Sequence, residues 1–425
     1  MASHSTEVKG GSRQNPAASK AVERCDALVL DARLRQSLVT VRSLGGRGIR
    51  VAALDSISAV PAFSSRWCRS QFVCQGDEAT EEYLIALEQA LDRCGANVLI
   101  TSADSTIALI RLHRERLERR VHIALAQEPA LGIAINKEQT LEIAGQLGLG
   151  IPRGVLVKSE GDVEAAVREI GLPVVVKPVE SWLWGEEHSG IRVASQLVTT
   201  RDEARQVVEQ LTRCGGSVLF QQFLTGRREA VNLFYANGEI YARFAQWAKR
   251  TDPPLGGTSV LRQSIAVPPD IGEQAERLVR AIGLEGYAEV EFRRDSQGVP
   301  YLMEINPRLS ASVEIASRCG VDFPLLLYRW AAGEPLEKVP GYRTGVWVRF
   351  LRGDLMATIE SLQQRGRPGI AHPARAVLDF CASCFVPMAY DYVDRKDPVP
   401  AFVATRDFTR QWIGNAVKKR LSHIR

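Results

Sequence analysis

Long apolar runs are missing from this chain of 425 residues: none approaches the roughly 20 residues that a helix needs to cross a bilayer, so no membrane span is expected. The first 20 residues are polar and rich in serine, glycine and alanine. They lack an apolar segment, which argues against a secretory signal and for a disordered tail over 1–20. No GxGxxG follows the first strand-like run, which argues against a dinucleotide site. No GxSxG elbow and no convincing Cys/His pair is present, so a covalent nucleophile is not expected. The net charge of +5 is dispersed and no DNA- or RNA-binding signature accompanies it, which argues against nucleic acid as a partner. The eight cysteines have no framework spacing, so reduced thiols in a cytoplasmic protein are expected. Cys381-Ala-Ser-Cys384 is a lone CxxC between Phe380 and Phe385. Without a second pair to complete a zinc set, it reads as buried packing.

What is present is an ordinary globular composition, 45% hydrophobic and 24% charged, on a chain long enough for two or more cores. Within 21–125, short apolar runs at 26–31, 49–54, 71–74, 97–101 and 122–125 alternate with helical patterns at 37–44 and 81–94. That alternation predicts a parallel α/β domain. Asp31 and Asp104 at strand ends could reach a small ligand, but turn or capping roles are the expected ones. Asn136-Lys137-Glu138-Gln139 has the form of a capping box opening a helix. Strands are expected at 172–178, 191–194 and 217–224, helices at 163–170 and 201–213, and a hairpin at 229–244 closed by Asn237-Gly238. Helical patterns come next at 271–282 and 310–332. From about 340 the pattern mixes short strands with a final amphipathic helix, 408–421.

The most informative stretch is 286–308. Two apolar strands joined near Gly298 carry Glu289, Glu291, Glu304, Asn306 and Arg308. A two-residue turn between Asp295 and Gly298 sets Glu289 opposite Glu304, with Leu302, Glu304 and Asn306 on one face. Like charges opposite each other call for a cation or for protons, and magnesium takes one or two carboxylates plus an amide while leaving positions for phosphate oxygens. Glu289 alone reads as a solvated strand position. Glu291, Glu304 and Asn306 together, with Arg308 one step beyond Pro307, read as a metal and phosphate site.

Over roughly 125–330 the chain resembles the ATP-grasp superfamily, in the branch that holds biotin carboxylase, carbamoyl-phosphate synthase large chains and predicted carboxylate-amine ligases. Met303-Glu304-Ile305-Asn306-Pro307-Arg308 is the most specific match. The resemblance implies a mixed α/β and α+β architecture: a parallel α/β domain over 21–125, an ATP-grasp domain over 126–335 with a lid at about 150–220, and a region 336–425 completing it. It also implies ATP with Mg2+ (or Mn2+), held by Glu291, Glu304 and Asn306, with Arg308 steadying the transferred phosphate. Lys137 and Lys177 would contact ATP phosphates, Gln221 and Leu224 would form the adenine hinge, and Glu229 would hold the ribose. The phosphate-covering loop, 179–190, departs from the glycine-rich pattern, but Ser189 can still donate to phosphate. Arg262, with Trp247, Lys249 and Arg250 around Gly256-Gly257, is a candidate for holding the substrate carboxylate and leaving phosphate. The implied partners are a small-molecule carboxylate and an amine, with a homo-oligomer left open. An ATP-binding module without turnover is the alternative.

Overall fold

The computed structural model describes residues 23–78, 80–184, 190–213 and 216–422; side chains at 183, 184, 190, 191 and 411–422 are not among them. The tail 1–20 and Ser189 therefore lie outside the described residues.

Five short strands open the chain: β1 (Ala27–Val29), β2 (Val51–Asp55), β3 (Cys68–Val73), β4 (Val98–Ile100) and β5 (His122–Ile123). They form a parallel sheet in the order β3-β2-β1-β4-β5. The crossover helix Glu81–Cys94 starts where Thr80 accepts a hydrogen bond from the Tyr83 amide and stops where Gly95 turns left-handed, local signals that fix both of its ends. Asn136 likewise accepts from the Gln139 amide and starts the helix Lys137–Gln146, which places Lys137 in its first turn.

A second sheet, β10-β7-β11-β6, contains β6 (Gly154–Val157), β7 (Val174–Pro178), β10 (Gln196–Val198) and β11 (Val218–Gln222). Two short strands, β8 (Trp182–Trp184) and β9 (Gly190–Arg192), pair only with each other. Helices Val163–Ile170 and Arg201–Thr212 cover the second sheet through valines such as Val163, Val167, Val207 and Val208.

The third sheet has seven strands, β16-β15-β12-β13-β14-β17-β18: β12 (Arg228–Ala236), β13 (Glu239–Asp252), β14 (Thr258–Ile265), β15 (Gly286–Arg294), β16 (Pro300–Asn306), β17 (Trp347–Arg349) and β18 (Ala389–Tyr390). Asn237 and Gly238, both at positive φ, close β12 onto β13 as Asn-Gly predicts. Gly226 lies between the second and third sheets with its amide on the Arg294 carbonyl. A Cβ there would collide with the carbonyls of Arg294 and Asp295, so only glycine allows this approach.

One apolar core runs from the first sheet to the underside of the third, joining Leu28 and Leu99 to Val231, Phe292 and Leu302. Burying side chains of this size contributes about 1.5–3 kcal/mol each, which fixes the opposite face of β15 and β16 toward the second sheet.

The C-terminal region is more helical than its sequence suggests. Helices Leu351–Gln363 and Pro373–Ala382 lie between β17 and β18, and the last helix spans Val399–Ser422, well before the expected start at 408. Cys381 and Cys384 are exposed rather than buried, and Phe385 beside them is 88% exposed. No described helix is long and apolar enough to cross a membrane.

Candidate functional site

The acidic ribbon is β15 and β16, and its register differs from the one the sequence suggests. Glu291 faces Glu304, and Glu289 faces Asn306. The reason is a bulge at Met303, between the pairs Glu291–Glu304 and Phe292–Leu302. Because of that extra residue Leu302 drops into the core with Phe292, while Glu304 and Asn306 project from the other side. Gly298, at φ +86, lies in the turn as expected.

Around the facing pair, charge of both signs converges. Arg228 on β12 donates through Nε to Glu291 Oε2 at 2.9 Å, and its guanidinium also reaches the Gly257 carbonyl. Asn306 Nδ2 lies 3.3 Å from Glu291 Oε1 and 3.4 Å from Glu289 Oε2. Lys137 Nζ lies 4.0 Å from Glu304 Oε2 and 3.1 Å from Ser181 Oγ. Lys177, 9% exposed at the end of β7, approaches Met303 Sδ at 4.0 Å. Burial pushes the Glu291 carboxyl up to about 7 against the pull of Arg228. Burial acts on Glu304 the same way, but Lys137 and Lys177 outweigh it and hold that carboxyl below the usual range. Burial lowers Lys177 to about 8, with Glu304 pulling the other way. The pair thus divides into one carboxylate ready to be charged and one sensitive to whichever cation approaches.

Three cavities meet here, and Glu304 borders all of them. The first, about 360 Å³, lies between the second and third sheets. Lys177, Gln221, Leu224, Arg228, Glu291, Arg293 and Met303 line it, and the helix Leu351–Gln363 with its C-cap contributes Glu360 and Gln364. Gln221 is 1% exposed and its Nε2 has no hydrogen-bond partner, so a buried donor is left for a visitor. A second, about 150 Å³, lies beyond Glu291 under Arg192 and Arg308. A third, about 360 Å³, separates the helix Asp104–Leu112 from Lys137 and Trp182.

Parts of this chain are similar to known proteins. A family model described as ATP-grasp in the biosynthetic pathway with Ter operon matches residues 217–353, the stretch that carries β11 through β17. Over that stretch the chain is similar to the ATP-grasp family. A D-alanine--D-alanine ligase of Chromohalobacter salexigens is 26% identical over 215 residues, 47% of this chain and 65% of that protein. A carbamoyl phosphate synthase large chain of Caldanaerobacter subterraneus subsp. tengcongensis is 24% identical over 247 residues, 56% of this chain and 22% of that protein. The matched stretch is thus less than two thirds of either relative. Among solved structures, biotin carboxylase from Campylobacter jejuni superimposes with TM-score 0.62 at 15% identity, covering 76% of this chain and 74% of that one. The ADP complex of purK, an N5-carboxyaminoimidazole ribonucleotide synthetase, gives 0.61 at 16% identity, covering 82% and 86%. These likenesses are ones of fold.

The expected site residues separate into two groups. Glu291, Glu304, Asn306, Lys137, Lys177, Gln221, Leu224 and Arg308 surround the three joined cavities. Two others already have their charges taken. Arg262 is fully buried and paired to Asp391, with Nη2–Oδ1 at 2.7 Å and Nη1–Oδ2 at 3.1 Å, so it cannot reach a substrate. Its companion Arg250 is bound to Asp354, and Trp247 donates to Gln263. Glu229 borders the smaller cavity, but Arg294 and Arg227 engage its two oxygens at 2.7 and 3.2 Å. Its carboxylate is therefore not free for a ribose.

Sequence reasoning missed Arg228, read Glu289 as solvated although it is buried, and set Asp104 down as a turn or capping residue. Asp104 holds Arg308, with Nε–Oδ1 at 2.6 Å and Nη2–Oδ2 at 3.1 Å, and lies 3.8 Å from Arg192 Nε. Burial works against its ionisation, but Arg308, Arg192 and Lys137 together hold its carboxyl below the usual range. Strand parity could have found Arg228. Val231 and Leu233 on β12 read as core, so Glu229 shares their face and Arg228 takes the other.

The donor set fits a divalent cation. No described trio of His, Cys, Asp or Glu forms a cage, but two facing carboxylates and an amide offer hard oxygens with coordination positions left for phosphate. Arg228 already satisfies Glu291, so a metal there must share that carboxylate with the guanidinium or displace it.

Proposed function

We propose that this protein is an ATP-dependent, ADP-forming ligase that activates a substrate carboxylate as an acyl phosphate and joins it to an amine. The observation that carries this reading is the junction at Glu304. A nucleotide-sized cavity with an unpaired buried donor, Gln221 Nε2, opens onto the same carboxylate as a smaller polar cavity under Arg308. Adenine lies against Gln221 and Leu224, where backbone and side-chain groups at the end of β11 can read its edge. Lys137 and Lys177 draw the phosphates toward the ribbon. Glu291, Glu304 and Asn306 would hold magnesium, which neutralises charge on the transferring phosphoryl group.

In the first step a carboxylate oxygen forms a bond to the γ-phosphorus while the bond to the ADP oxygen breaks, and ADP leaves with the electron pair. In the second, the amine nitrogen bonds to the carbonyl carbon, the carbon–oxygen bond to phosphate breaks, and the proton lost by the amine leaves with phosphate. Arg228 and Arg308 flank the path and stabilise charge by position alone, so no protein nucleophile is required. Asp104 is a positioning residue that sets the direction of Arg308.

ADP release from pooled carboxylates and amines tests the reading. Formation that needs both an acid and an amine supports it. ATP binding without ADP release in any pool would favour a nucleotide-binding module instead, a reading that the Arg228–Glu291 pair supports because an internal cation already occupies the metal's ground.

A further inference from the structure

One sequence motif lies outside the cavities: Cys381-Ala382-Ser383-Cys384, whose two thiols are on the surface. The helix Pro373–Ala382 runs without a break into a 3₁₀ turn, Ser383–Phe385, and the two residues between the cysteines keep right-handed helical backbone, with φ −57 at Ala382 and −64 at Ser383. Residues three apart lie about 5 Å from each other, Cα to Cα, in an α-helix and about 6 Å in a 3₁₀ helix. Both values fall inside the range of roughly 4.4–6.8 Å that a disulfide spans. The other described cysteines differ. Cys25, Cys74, Cys94 and Cys319 are buried, and burial pushes their thiols up, as it pushes half-buried Cys68 up to about 12. Exposure and spacing together set this pair apart.

Cys384 is also joined to the buried charge cluster behind it. Arg349 Nη1 donates to its sulfur at 3.3 Å, while Nε holds Asp354 Oδ2 at 2.5 Å and Nη2 reaches the Phe380 carbonyl at 3.3 Å. Arg349 is fully buried, so a donor released there has no water to turn to. Asp354 has Arg250 as its second partner, and Arg250 donates to Ser383 Oγ at 2.9 Å, inside the CxxC itself. Both anchors lead to the nucleotide cavity. Asp354 lies on the helix Leu351–Gln363, which brings Glu360 to the cavity, and Arg250 lies on β13 shortly before Pro253, Leu255, Gly256 and Gly257 of its wall.

We propose that Cys381 and Cys384 are a redox modification site, closed to a disulfide by exchange with a small-molecule disulfide such as oxidised glutathione, and that closure weakens nucleotide binding. The thiolate of Cys384 attacks one sulfur of the small disulfide, whose S–S bond breaks and whose other half leaves as a thiolate. Cys381 then attacks the Cys384 sulfur of the mixed disulfide and expels the second half. Two protein thiols are oxidised, one disulfide is reduced to two thiols, and the two protons of the protein thiols pass to the released pair. A disulfide sulfur is neutral and a poor acceptor, so Arg349 loses a partner it cannot replace, and Asp354, which ties the helix to β13, shifts with it. This rests on a nucleotide occupying the cavity of Gln221, which the ligase and the binding-module readings share.

The test incubates the full chain in mixtures of reduced and oxidised glutathione, blocks the remaining free thiols with iodoacetamide and digests with trypsin. The peptide 376–395, bounded by Arg375 and Arg395, contains both cysteines. It is expected to turn from doubly alkylated to unalkylated and lighter by two hydrogens as the oxidised share rises, and to revert with dithiothreitol. Calorimetry with ADP and Mg2+ on the same samples should show affinity at least fivefold weaker in the oxidised protein and restored on reduction. The double variant Cys381→Ser, Cys384→Ser should keep the reduced protein's affinity in every mixture. A peptide that stays doubly alkylated throughout, an oxidised protein that binds ADP as the reduced one does, or an equal loss in the double variant overturns the proposal while leaving the nucleotide reading in place. Failure of the reduced protein to bind ADP overturns both.

Discussion

Two buried charge clusters in this molecule are built from the same residue types and differ in one respect. In the C-terminal region, Asp391 lies between Arg35 and Arg262, at 2.5 and 2.7 Å, and Asp354 lies between Arg250 and Arg349, both at 2.5 Å. There every carboxylate is saturated by guanidinium, and none of these residues borders the three joined cavities. At the ribbon, three glutamates share one closely held guanidinium and several amides, and the Gln246 amide oxygen and the Gln221 amide nitrogen remain unmet. Burial and charge by themselves identify neither a site nor a strut. The incomplete pairing beside open space marks the ribbon as the place prepared for a visitor.

The largest effect should come from breaking a strut. Asp391→Ala leaves Arg35 and Arg262 buried without their counter-ion and is expected to cost about 3–5 kcal/mol in urea denaturation. Next is the ribbon: Glu304→Ala should reduce ADP formation on the order of 100-fold or more, the scale for losing a preorganised electrostatic group. A denaturation midpoint for Glu304→Ala that falls as far as that of Asp391→Ala would erase the distinction between site and strut.

Lys177 sharpens the comparison through pH. Its ammonium is held down to about 8 by burial, below the ordinary lysine value of 10.5. Between about 8 and 10.5 the unfolded chain therefore binds more protons there than the folded chain, so this residue's contribution makes folding stability rise with pH across that window. ATP binding, which uses the charged form, should weaken as pH climbs through the same range. Titrating both quantities in the unsubstituted protein and in Lys177→Met checks the opposing signs. The smallest effect is expected for Arg116→Gln, which removes a solvent-facing pair with Glu88 and should leave both the midpoint and ATP affinity where they were.

Much of the frame was legible because local chemistry dictated it. Thr80 and Gly95 bound one helix, and Asn237-Gly238 closed a hairpin wherever the rest of the chain went. The composition of the acidic ribbon was legible for a similar reason, since carboxylates, an amide and an arginine crowd into two adjacent strands. Its register was not, because a bulge at Met303 leaves no mark in strand alternation. Arg262 and Glu229 misled for a different reason: their partners Asp391 and Arg294 lie 129 and 65 positions away, and only the assembled fold shows that their charges are already taken. Asp104 reads as a turn or capping residue from sequence because its role depends on the first sheet docking against the third.

The extra residue at Met303 makes the ribbon tolerant of change in one place and brittle in another. Length variation around 295–299 alters only the tip, which hangs beyond the paired region. A single deletion in the regularly paired stretch 304–306 instead reverses the inside–outside phase of the strand residues on one side of it, whereas loss of Met303 itself removes the bulge and leaves Leu302 and Glu304 on opposite faces. Natural insertions and deletions in this hairpin should therefore collect at its tip, and one in its shaft would have to be matched by a compensating slip in β15.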